Sequence, residues 1–310
     1  MVEVKRATLR DVAAAAGVSR ALAGFVLGDD HGKSIPEATR ERVRAAARSL
    51  GYAPHGIARA LREGSSRVVV LSIDPGLESN YSRSFARGLD EELAAHGHML
   101  VVRHEHAGPL PERQILDAIA PRAVIRLPGN YLAAGHELDD GGWEGGFAAN
   151  VLAQVRYLAD RGHAAIAVAL PDGDPPLGAV RERFAREAAA RAGLPEPSTL
   201  VVPRPRPAAA EVVRLFRAAH PAVTAVAAYD DDVALRVLAA VRALGLAVPG
   251  DLAVIGFDDM GYGALVDPAL TTVHVDAEGH GRKAAREALG LDPGNLAPFR
   301  PGRVIVRESA

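Results

Sequence analysis

The sequence predicts a three-helix, helix-turn-helix head followed by an α/β core of two doubly wound parallel-sheet lobes. Two changes of period carry that expectation. Residues 8–27 read as two short helices broken at Gly17. From Arg67 onward, continuous apolar runs alternate with amphipathic stretches, as strands covered on both faces by crossover helices do. A third observation is the charge distribution. The chain is nearly neutral at −2, yet residues 1–67 hold twelve Lys/Arg against seven acids, so the positive field is concentrated at the head.

In the first helix Leu9, Val12, Ala13 and Ala16 recur at i, i+3, i+4, i+7, and Gly17 supplies the left-handed residue that ends it. Ser19 suits the N-cap of the second helix. There Ala23, Val26 and Leu27 fall on one face, expected inside, while Arg20, Ala21, Gly24 and Phe25 fall on the other. A plain hairpin of helices is the alternative. After a polar, Gly-rich break over 28–34, a third helix is expected from Pro36 to Leu50, with Val43, Ala46, Ala47 and Leu50 as its apolar face and Gly51 past its end. Residues 57–62 have room for one or two helical turns before Gly64-Ser65-Ser66, a linker.

Strands are expected at 68–73, 99–103, 123–127, 164–170, 199–202, 222–228 and 252–257. Helices are expected between them at 81–96, 148–160, 180–192, 208–219 and 231–244. The absence of cysteine excludes a disulfide scaffold, a thiolate metal site and thiol catalysis. No apolar run has the length of a membrane span and the first residues lack an apolar leader core, so a cytoplasmic chain with no membrane partner is expected.

The residues filling this order resemble the LacI family of bacterial transcription regulators. In the head, Thr8-Leu9-Arg10-Asp11-Val12-Ala13 with Ala16-Gly17-Val18-Ser19 is similar to the family opening, and Leu50-Gly51-Tyr52-Ala53-Pro54 to the entry to its hinge. Further on, Arg161-Gly162-His163, the run Val248 to Asp259, Pro268 to Val273 and the closing Val306-Arg307-Glu308-Ser309 are similar too. The resemblance implies a head over 1–53, a hinge helix and linker over 54–66, and a core over 67–310 akin to periplasmic sugar-binding proteins. Its first lobe would hold about 67–150 plus 274–288, and its second about 151–273 plus 289–310. It implies a homodimer on near-palindromic, double-stranded operator DNA, since two-fold symmetry in the protein requires matching half-sites. A small-molecule effector, a sugar or related polyol, would sit in the cleft.

On the DNA side Arg20 either reads guanine O6 and N7 or clamps a phosphate, and Ala21 and Phe25 offer apolar contact to thymine methyls. Gly24 costs about 1 kcal/mol in a helix relative to alanine, which hints at a close backbone approach or at drift. Thr8 and Ser19 are phosphate contacts at helix starts. By resemblance Leu61 is the hinge wedge in the minor groove, Arg59 lies near phosphate, and His55 stands where the family usually has Asn.

On the effector side Asp258 ends a parallel strand, where open α/β sheets place ligands, and by resemblance would accept from effector hydroxyls. Asp230 is the positional match to another polar contact, with Asp231 or Asp232 left to cap the helix that follows. Tyr81 and Trp143 are aromatic-wall candidates or packing residues. The family's Arg-x-x-Gly-aromatic entry to the second-lobe helix is altered, with Val180 and Arg183 at the arginine and glycine positions, so that Arg181 substitutes only by a shift. The helix near Tyr81 lacks an Asn-Pro-aromatic entry, and the stretch between Arg126 and Ala148 is short and Gly-rich. A regulator with a degenerate pocket, controlled by a partner or by nothing, is the second reading, and a solute receptor the third. No enzyme is expected, with no catalytic residue, cofactor or metal. His96, His98, His104 and His106 lack metal-site spacing, and neither a phosphate loop nor a nucleophile elbow occurs.

Overall fold

The computed structural model describes residues 7–27, 35–52, 66–73, 79–104, 116, 119–127, 146–173, 175, 177–292 and 302–310. These form a helical head and an α/β unit, each described by itself.

In the head, helix α1 (Leu9–Ala16) starts in a reciprocal capping box. The Asp11 amide donates to Thr8 Oγ1, and the Asp11 carboxylate accepts the Thr8 amide at 2.7 Å. Gly17 closes it at φ +64. Helix α2 (Arg20–Leu27) is capped by Ser19, whose Oγ accepts the Leu22 amide at 3.1 Å. Helix α3 (Glu37–Ser49) completes a core of Val12, Ala13, Ala16, Ala23, Val26, Val43 and Ala47. The spacing expectations fall on this core except at Leu50. That residue is 40% exposed because the helix has already ended there.

The α/β unit holds two cores. The first lobe is a parallel sheet of β1 (Val68–Ile73), β2 (Met99–His104) and β3 (Ala123–Leu127) in the order β2-β1-β3. Helix α4 (Asn80–Ala95) covers it, together with α9 (Glu278–Leu289) from much later in the chain. These two helices cross at bare glycines: a Cβ on Gly88 would lie 2.0 Å from the Glu278 carbonyl oxygen, and one on Gly281 2.1 Å from that of Phe85.

In the second lobe β4 (Ile166–Pro171), β5 (Ser198–Val202), β6 (Ala225–Ala228) and β7 (Ala253–Ile255) form a parallel sheet in the order β5-β4-β6-β7. Helix α5 (Phe147–Asp160) leads into β4, and α6 (Gly178–Arg191), α7 (Arg206–Ala219) and α8 (Asp231–Ala243) connect the strands. The strands β4, β6 and β7 are buried almost throughout, which is why they read as apolar runs without alternation. An antiparallel pair, β8 (Thr272–His274) with β9 (Arg303–Ile305), packs beside α5.

Helix α5 starts at Phe147, and Ala148 already packs in the second core. The strand expected over 222–228 is shorter, beginning at Ala225, since Pro221 and Ala222 form a turn ahead of it. His55, Arg59, Leu61 and Trp143 lie outside the described residues.

Candidate functional site

On the head, the two faces of α2 separate as its spacing predicts. Ala23 and Val26 are buried, Arg20 and Ala21 are exposed, and Gly24 and Phe25 are half-buried beside them. Thr8 and Ser19 are both exposed at helix starts, but each already serves as a cap. The Thr8 hydroxyl moreover donates to Asp11 Oδ2 at 2.7 Å, so its offer to a phosphate is its exposed position rather than a spare proton. Among the described residues a Cβ on Gly24 would meet only Leu9 Cδ2, at 3.5 Å. Close approach to the described residues of the head therefore does not explain this glycine.

In the α/β unit a cleft of about 370 Å³ opens between the lobes, within the range of small-molecule sites. Its walls are apolar and aromatic, with Leu127, Phe147, Leu177, Phe257, Met260 and Val275 among them. Of the four residues expected to face an effector, Tyr81, Arg181, Asp230 and Asp258, all line it.

Arg181 is 2% exposed. Helix α6 begins at Gly178, and this start turns Arg181 inward while Val180 is half-buried and Arg183 lies outside over the Phe184 ring. The altered motif thus still delivers an arginine to the cleft wall. Its guanidinium carbon lies 4.0 Å from the centroid of Phe257 and 5.6 Å from that of Phe147. Nη2 donates to Gln154 Oε1 and to the Ala228 carbonyl, each at 2.9 Å, whereas Nε and Nη1 have no partner among the described residues. Burial pulls the guanidinium down to about 10, and Tyr229, Asp230 and Asp258 only partly offset it.

Gln154 escaped the sequence reading. It is 1% exposed, and its Nε2 donates to the Ala228 and Gly256 carbonyls at 2.9 Å, tying the ends of β6 and β7 to Arg181. The signal was present as a polar residue on the stripe of Val151, Val155 and Leu158, all fully buried.

Asp230 is the N-cap of α8, accepting the Val233 amide at 2.8 Å, and burial raises its carboxyl. The expectation that Asp231 or Asp232 would cap this helix is therefore corrected. Asp231 is buried against Thr272 Oγ1 and the Met260 amide, and Asp232 pairs with Arg236 and Arg204. Asp258 departs further from expectation. Turned at φ +91, it reaches the other lobe and accepts the amides of Asn80 and Tyr81 at the start of α4. Its neighbour Asp259, at φ +48, instead accepts from Arg307 Nη2 at 3.2 Å and lies 3.1 Å from His274 Nδ1. Tyr81 stacks near Phe85 and places its hydroxyl 3.1 Å from His280 Nδ1.

Comparison with known proteins matches residues 8–55 to the family described as bacterial regulatory proteins, lacI family, and residues 155–310 to the periplasmic binding protein-like domain. The HTH-type transcriptional regulator CelR of Thermobifida fusca is 30% identical, with 98% of each chain covered. A crystal structure of the Lac repressor bound to ONPG in its repressed state shares the fold, with a TM-score of 0.74 at 19% identity over 99% of this chain and all of that one. A transcriptional regulator CelR–cellobiose complex does so with a TM-score of 0.59 at 23% identity, covering 98% of this chain and 100% of the other.

Proposed function

The chain belongs to the LacI family of bacterial regulatory proteins and is a DNA-binding transcription regulator; from that premise we propose that it is a repressor whose operator affinity is set by a small molecule in the lobe cleft. The observation that carries this reading is the split of α2 into a packed face and an exposed face led by Arg20. A helix so divided offers its outer face to the major groove, with Arg20 toward a guanine and Ala21 and Phe25 toward thymine methyls.

The repressor acts as a homodimer on a near-palindromic site in the cytoplasm. Leu265, 82% exposed after β7, is apolar surface that self-association would cover. His55, Arg59 and Leu61 supply the remaining DNA contacts. No step of chemistry is assigned to the protein. The cleft supports effector control over the degenerate-pocket reading, because it is formed, apolar and lined by a buried arginine with donors to spare. The relative's complex with cellobiose and the family resemblance point to a sugar-like molecule as the starting class.

Selection of bound duplexes from a random pool tests the DNA half. The expected outcome is one enriched motif with two inverted half-sites. Recovery of duplexes without any shared motif would overturn sequence-specific binding.

A further inference from the structure

Resting on the reading of the cleft as an effector site, we propose that its ligand bears a carboxylate on an apolar, ring-sized body, and that Arg181 receives the carboxylate. A neutral polyol presents many hydroxyl donors and needs acceptors for them. Most of the inner acceptors are engaged, with Asp230 Oδ2 left over. Both Asp258 oxygens take amides of α4, Asp230 Oδ1 takes the Val233 amide, and Ser79 Oγ takes the Ser82 amide. Asp232 lies at the mouth in ion pairs with Arg236 and Arg204.

The donors are in the opposite state. Among the described residues Arg181 keeps Nε and Nη1 without acceptors and no carboxylate forms an ion pair with it, while the ring of Phe257 lies on its face. A buried cation left in this way carries a cost that an anion of matching geometry relieves, and carboxylates are the usual small-molecule partners of a guanidinium. The rest of the wall is hydrocarbon and aromatic ring, so the body of the ligand gains by being apolar. Burial pushes the Asp258 carboxyl up to about 7, which lowers the negative field that an anionic ligand meets near neutral pH.

The test uses the full chain and paired probes in thermal-shift and calorimetric titrations. Benzoate, phenylacetate and glucuronate are set against benzamide, phenylacetamide and glucose, with ribose and cellobiose as further neutral sugars. The expected result is stabilisation by benzoate or phenylacetate, at least tenfold tighter than by its amide; glucuronate binding without either would overturn the apolar body. Arg181→Met should abolish that preference while its far-ultraviolet spectrum stays that of the parent. If the variant fails to fold, the acid-against-amide comparison on the parent chain still decides. Binding of ribose, cellobiose or glucose with no acid bound would overturn the carboxylate and leave the cleft an effector site. Silence across every probe would overturn the proposal and count against the cleft as an effector site altogether.

Discussion

Asp258 reaches across the cleft to Tyr81: its Oδ1 accepts the Tyr81 amide at 2.9 Å, so a carboxylate at the end of a second-lobe strand caps a first-lobe helix. The adjacent Asn80 amide is held by Oδ2, and Asn80 Nδ2 donates to the Val275 carbonyl at 2.9 Å. Burial pushes the Asp258 carboxyl from 3.8 up to about 7 against the pull of these bonds, and burial also takes Asp231 up to about 6. A carboxyl raised in the folded state contributes stability that is complete below the unfolded value and is lost as pH rises through the folded one. His163 works oppositely, since burial, with a smaller push from Arg161, lowers it and its contribution falls away in acid. The parent α/β unit should therefore lose melting temperature between about pH 4 and about pH 7 relative to Asp258→Asn, in which this titration is gone and His163 is retained. Equal slopes in the two proteins would show that the capping carboxylate does not titrate in this window.

Arg20 is exposed at the first position of α2, ahead of every other residue on that face. Arg20→Ala should weaken discrimination at one base of each half-site by about 1–3 kcal/mol, read by competition among operators substituted base by base. A uniform loss on all sequences would instead assign Arg20 to a phosphate.

Gly24 occupies a helix interior with only Leu9 Cδ2 near its missing Cβ, at 3.5 Å. Gly24→Ala should stabilise the head by about 1 kcal/mol, which hydrogen exchange in the intact chain reads as about fivefold greater protection of α2 amides. Should protection rise while operator affinity falls, the glycine serves the DNA approach.

Much of this architecture was legible in the sequence, and the gaps have physical causes. The stripe Val12, Ala13, Ala16 announced α1, and the apolar runs of β1 and β4 announced strands, because burial imposes a period or abolishes one. The strands β8 and β9 are three residues each, too short to carry a period, and α9 opens with Glu278-Gly279-His280-Gly281, which reads as a loop. At the cleft, proximity to strand ends found Asp230 and Asp258, but three consecutive aspartates hid which one caps α8. No local pattern revealed that Asp258 would turn to the other lobe, since its partners lie 178 and 177 residues away.

The crossing of α4 and α9 depends on the absence of side chains rather than on the ion pairs that rim it. Arg87 with Glu278 and Arg282 with Glu91 are partly exposed pairs worth little. Gly281→Ala would put a Cβ 2.1 Å from the Phe85 oxygen and 2.6 Å from the Leu89 nitrogen, and should cost on the order of 3 kcal/mol in denaturant unfolding. Gly279→Ala, two residues earlier in the same helix with nothing near its Cβ, should be neutral or stabilising. Equal effects at the two positions would mean that helix propensity, and not the crossing, governs α9.

Gln154 and Arg181 share one buried hydrogen bond, and a double-mutant cycle on unfolding free energy reads how strongly they are coupled. Gln154→Leu strands the Gly256 carbonyl and takes an acceptor from a cation that already lacks two, so it should cost about 1–3 kcal/mol. Arg181→Met removes a buried charge from between two phenylalanines, and replacing such a charge by an apolar chain of similar length is often neutral or better. In the Arg181→Met background Gln154→Leu no longer deprives a cation, so its cost should shrink by about 1 kcal/mol or more. Additivity within about 0.5 kcal/mol would show that Gln154 serves the carbonyls of β6 and β7 and does not position the arginine.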